Sequence, residues 1–143
     1  MKVQCLRTNQ TYLVDSGASV SIIQKTKNDI EDQQCNLKAA NGTQVRTYGS
    51  QTIKISLEKN LSFWHTFVKA DVEQPIIGAD FLANNGLTVN MEKMILTHEK
   101  SRIKIKEYRL LGVPNEIAFN NGFPTFKLAF KNKMLPFGKF SFG

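Results

Sequence analysis

Asp15-Ser16-Gly17 is the triplet of this chain best suited to chemistry. It follows the apolar run Tyr12-Leu13-Val14, so Asp15 stands where a strand ends and a turn begins. A rigid strand end aims a carboxylate, and Gly17, having no Cβ, lets substrate and backbone approach. Ser16 can hydrogen-bond locally and hold the loop. A carboxylate placed this way serves as a general base toward water or as a general acid. Two carboxylates sharing one proton do both jobs, because adjacent like charges cannot both ionise; that behaviour is known from other paired-aspartate sites. The sequence holds one such triplet. A two-carboxylate site therefore needs a second copy of the chain, which a closed two-fold pair supplies.

The other candidates read as structural. Asp80 precedes the helical pattern Phe81-Leu82-Ala83 and reads as a helix N-cap. His65 lies on an aromatic strand and His98 near the end of the strand-rich part, neither with a partner at catalytic spacing. Trp64, with Phe63 and Phe67, reads as core. Cys5 and Cys35 are too few for a disulfide framework and lack metal-ligand spacing. The expectation is two reduced thiols, no metal and no cofactor. No apolar run reaches the roughly 18 residues of a membrane span. The start, MKVQCLRTNQ, has neither an apolar h-region nor a small-residue cleavage site, so an intracellular, cytoplasmic location is expected.

The elements that must position Asp15 are short strands with turns between them. Val3 to Arg7 reads as a strand, Thr8-Asn9-Gln10 as a turn, and Thr11 to Val14 as a returning strand. Val20 to Ile23 is apolar and β-branched, and residues 24–36 are a polar loop. Asn41-Gly42 sits between strand-like runs and predicts a hairpin with a type I′ turn. Ile53, Ile55 and Leu57 alternate with Lys54 and Ser56, and a second hairpin turns at Glu58-Lys59-Asn60. Pro75-Ile76-Ile77-Gly78 is wholly apolar, which implies burial on both faces. A short helix follows, ended by Gly86, and then strands at Leu87–Asn90 and Met94–Thr97. This is an all-β, barrel-like domain with one short helix.

Charge divides the chain. Residues 1–91 hold nine Lys/Arg and eight Asp/Glu, a net of +1, whereas residues 92–143 hold ten and four, a net of +6. Seven of the ten phenylalanines lie between Phe119 and Phe142. The expected boundary is near residue 100, giving a domain over 1–99 and a basic, Phe-rich extension over 100–143. Arg102 to Tyr108 alternates like a strand; beyond Gly112 no period is evident, and the extension reads as a linker or a partly disordered segment. Interleaved Lys and Phe can bind single-stranded nucleic acid, but no recognisable module is present and nucleic acid is not the expected partner.

Three segments together carry a family resemblance. Leu13-Val14-Asp15-Ser16-Gly17-Ala18-Ser19-Val20-Ser21-Ile22-Ile23 resembles the active-site segment of retropepsins. Ala39-Ala40-Asn41-Gly42-Thr43, followed by Thr47-Tyr48-Gly49, resembles the flap region of the Ty3/gypsy retrotransposon branch. Phe67 to Val72 and Pro75 to Leu82 resemble that branch's second signature. The resemblance spans roughly residues 3–97 and implies a retropepsin-like closed barrel, homodimeric, with no cofactor. It implies that Asp15 is the catalytic aspartate of an aspartic endopeptidase processing a retrotransposon Gag-Pol polyprotein. Ser16 would bond to the partner's loop. Gly17, Ala18 and Ser19 would contact a polypeptide substrate, as would Ala40, Asn41 and Gly42 of the flap. Ile76, Ile77 and Gly78 would support the active-site loop from below. The alternative is a catalytically weak or decayed copy acting as a dimerisation or binding module. The family often carries a further N-terminal strand in its dimer sheet; only fourteen residues precede Asp15, so that strand is expected to be short or missing.

Overall fold

A computed structural model describes residues 1–34, 36–109 and 141–142. In chain order the elements are β1 (Lys2–Gln4), β2 (Thr11–Val14), β3 (Ile22–Gln24), β4 (Leu37–Lys38), β5 (Gln44–Val45), β6 (Thr47–Glu58), β7 (Leu61–Ala70), β8 (Ile76–Ile77), α1 (Ala79–Asn84), β9 (Leu87–Asn90), β10 (Ile95–His98), β11 (Lys104–Lys106) and β12 (Ser141–Phe142). Among the described residues the fold is mostly β with one short helix. No helix among the described residues is long and apolar enough to cross a membrane.

Six strands form the central sheet in the order β1-β2-β8-β3-β7-β6. β8 lies between β2 and β3, parallel to β2 with Leu13 opposite Ile76 and Val14 opposite Ile77. Side chains alternate across a strand, and both faces here are apolar. Leu13 and Ile76 join a cluster with Ala18, Val20, Ile22, Leu37 and Val45. Val14 and Ile77 join a larger one with Phe67, Phe81, Leu82, Leu96 and Ile105. Ile76 and Ile77 are both fully buried, as their unbroken apolar run predicted. Each such side chain contributes about 1.5–3 kcal/mol relative to exposure.

Among the described residues no continuous ladder joins the two edges of this sheet. β1 and β6 are its edges. They meet just beyond β1, where the Leu6 N–H donates to Ser56 O at 2.7 Å and the Ser56 N–H reaches Cys5 Sγ at 3.4 Å. β1 is three residues long and turns away through Asn9, whose φ is 61°. That leaves too little strand to pair along β6.

Two small sheets flank this one. β11-β10-β9 packs against the helix side through Leu96 and Ile105. β12-β4-β5 contains the hairpin around Asn41-Gly42, and Ser141 and Phe142 pair with Lys38 and Leu37 on its outer edge. The hairpin is not type I′, because only Gly42 has positive φ, at 85°. The Ala39 N–H donates to Thr43 O and the Gly42 N–H to Ala39 O. Asn41 Oδ1 takes the Thr43 N–H, so the loop has three residues, with glycine at its left-handed position. Trp64 is a second difference: it is 65% exposed. Phe63 and Phe67 occupy the inward face of β7, and period two places Trp64 outside. Residues 110–140, on which the reading of a disordered or linking extension falls, lie outside the described residues, as does Cys35. Cys5 is a buried free thiol.

Candidate active site

Asp15 is the first residue past β2. Its N–H donates to Ile77 O at 2.9 Å, which continues the β2–β8 pairing one step into the loop. The carboxylate Oδ1 accepts the Gly17 N–H at 2.9 Å, and the Asp15 carbonyl accepts the Ala18 N–H at 3.1 Å. The first bond makes an Asx turn, which fixes the side chain against its own loop, and the second closes a β-turn over the same residues. Asp15 is half-buried, while Ser16, Gly17 and Ser19 are exposed.

Ala18 is fully buried in the smaller core cluster, and its carbonyl accepts the Ala79 N–H at 2.7 Å. Its side chain packs inward, leaving Gly17 and Ser19 as the exposed neighbours of Asp15. Ala40, Asn41 and Gly42 are exposed at the hairpin tip. Ile76, Ile77 and Gly78 run beneath the loop. A Cβ on Gly78 would lie 2.7 Å from both Ala18 O and Val20 O. No side chain fits that gap, so glycine is needed for the close approach.

Asp80 is not the helix cap. Gly78 is the N-cap and makes no side-chain capping bond, and Asp80 lies within the first turn. Its carboxylate turns sideways. Oδ1 accepts from Ser21 Oγ at 2.7 Å and from the Phe81 N–H at 2.7 Å, and Oδ2 is 3.0 Å from His65 Nε2. Ser21 in turn accepts the Gly78 N–H at 2.9 Å. Burial works to raise the Asp80 pKa, but the bonds from Ser21, His65 and Phe81 outweigh it and hold the carboxyl below its ordinary value. His65 therefore has a partner that spacing in the sequence did not reveal. The available signals were small: a serine inside the apolar run Val20–Ile23, and a histidine two residues from Phe63 and Phe67 on one strand face. His98 is a local turn group, with Nδ1 2.7 Å from Ser101 Oγ.

A second linked pair holds the loop after β3. Lys69 Nζ is 2.9 Å from Asp29 Oδ1, and Asp29 Oδ2 takes the Thr26 N–H at 2.6 Å. The Thr26 bond first, and then Lys69, pull the Asp29 carboxyl down to about 2. A cavity of about 340 Å³ opens between these elements, lined by Val20, Asp32, Ser50, Thr66, Val68 and Asp80. Among the described residues no group of His, Cys, Asp and Glu is arranged to hold a metal ion.

The model of the retroviral aspartyl protease family matches residues 1–90. The chain belongs to that family. The matched span contains the Asp15 loop, the Asn41-Gly42 hairpin and the Ile76–Leu82 segment, so the family assignment and the geometry concern the same residues. The retroviral protease-like domain of Ddi1 from Leishmania major, known from a crystal structure, is similar in fold. It has a TM-score of 0.55 and 15% identity, covering 78% of this chain and 94% of that one. No curated protein matches the chain in sequence.

Proposed function

We propose that the chain is one subunit of a homodimeric aspartic endopeptidase that cuts a retrotransposon polyprotein of the Ty3/gypsy type in the cytoplasm. The observation that carries this reading is the setting of Asp15. A single aspartate leaves the end of a strand buried on both faces, its N–H tied to Ile77 O and its carboxylate tied to the Gly17 N–H. Membership of the retroviral aspartyl protease family supports the same chemistry. In the dimer two Asp15 carboxyls face each other and share a proton. The ionised one takes a proton from water as the water attacks the scissile carbonyl, while the protonated one gives its proton to the carbonyl oxygen. The first then passes the proton it gained to the leaving amine, and the second recovers its own as the gem-diol collapses to the acid, restoring the shared proton. Gly17 and Ser19 receive the extended peptide from below, and the Ala40-Asn41-Gly42 tip closes from above.

The test is digestion of a mixed peptide library at mildly acidic pH by the native chain and by Asp15→Asn, with products read by mass spectrometry. Cuts present with the native chain and absent with the variant support the endopeptidase. An absence of cuts by the native chain, at concentrations that force dimers, leaves the binding-module alternative.

A further inference from the structure

On the inward face of β7 the imidazole of His65 stands among aromatic side chains. His65 lies two residues from Phe63 and two from Phe67, the spacing of one strand face. Its ring meets Phe67 and Phe81 edge-on, with centroids 5.2 and 5.1 Å away, and its side chain is only 8% exposed. A phenylalanine would fill this place without the cost of burying a polar ring. What the imidazole adds is a directed bond to Asp80 Oδ2. An ionised carboxylate only accepts, so Nε2 carries the proton of that bond.

The bond is the outer end of a chain of contacts. Asp80 Oδ1 takes the hydroxyl of Ser21, which is wholly buried, and Ser21 Oγ takes the Gly78 N–H. Gly78 is covalently joined to Ile77, whose carbonyl holds the Asp15 N–H. Slack is small along this path, because Gly78 already touches the limit of approach to the Ala18 and Val20 carbonyls. Hydrogen-bonded chains in a low-dielectric interior are stiff when every member is satisfied.

We infer that His65 is a positioning residue for Asp15, acting through Asp80, Ser21 and Gly78 to fix the height of the strand that carries the Asp15 loop. This rests on the endopeptidase reading and deepens it. His65 touches no substrate; it sets where the carboxylate stands. Small misplacements of a catalytic group are costly because the reacting atoms must meet in a narrow geometry.

Two variants separate this role from general stability. His65→Phe keeps a ring between Phe67 and Phe81 and removes the donor. His65→Gln restores a donor. Each is compared with the native chain in peptide cleavage and in residue-resolved amide hydrogen exchange. The expected result for His65→Phe is a fall in kcat of about tenfold or more with KM changed by less than about twofold. His65→Gln recovers most of that loss. The Asp15 and Gly78 amides exchange faster in His65→Phe, whereas amides of the β10–β11 ladder keep their native rates. Uniform acceleration of all amides, with kcat falling only in step with the folded fraction, would overturn the inference, as would unchanged kcat and exchange. If the native chain cuts no peptide, the endopeptidase reading fails separately. The exchange comparison then decides the clamp: acceleration confined to Asp15 and Gly78 upholds it, and no acceleration there removes it.

Discussion

At Gly78 the backbone passes so close beneath the Asp15 loop that one added carbon would collide with two carbonyl oxygens. Both are main-chain atoms, so relief requires moving the loop itself. Gly78→Ala is expected to destabilise the fold by roughly 1–3 kcal/mol or more, the usual cost of overpacking, as measured by urea denaturation. The Asp29–Lys69 pair gives a prediction with a definite sign. Asp29 is lowered from 3.8 to about 2 on folding. A depressed carboxyl contributes stability that is complete above 3.8 and is lost as the pH falls through about 2. Lys69→Met should therefore be less stable than the native chain near neutral pH. The difference should shrink as Asp29 becomes protonated in both, which thermal unfolding across an acid pH series will show. Asp15 could be singled out in the sequence because its triplet has a local signature. Ser21, His65 and Asp80 had none, since they meet only after separations of 59 and 15 residues.

β8 does more for the site than its two residues suggest. It fills the gap between β2 and β3, and its two side chains enter two different core clusters. Ile77→Ala is expected to cost about 2–5 kcal/mol, read from denaturant midpoints at constant m-value. It should also loosen the Asp15 amide, because the same residue supplies both the packing and the accepting carbonyl. Elements of this kind were visible beforehand. An unbroken apolar pair predicts a strand buried on both faces, and alternation placed Ile53, Ile55 and Leu57 on one face of β6. Gly86, with φ of 60°, follows the C-cap Asn85 and ends α1 as expected. Element ends were harder to place. β3 begins at Ile22 rather than Val20, although the Ser21 carbonyl already accepts the Val68 N–H of β7 at 3.1 Å. α1 takes Gly78 as its cap because Asp80 is drawn away by Ser21 and His65.

For the whole molecule the governing fact is that one chain carries one Asp-Ser-Gly. The mostly β class was readable from strand spacing, whereas closure of the sheet depends on how far β1 extends along β6, and composition is silent on that. Two copies of Asp15 in one site is the central claim, and activity in mixed dimers tests it most directly. Native chain and Asp15→Asn are refolded together at fixed total concentration, and cleavage is measured against the native fraction. If each active site needs two Asp15 residues, an equal mixture gives about one quarter of full activity, following the square of the native fraction. Activity that falls in simple proportion, to about one half at equal mixing, would mean that one subunit suffices and would contradict the account.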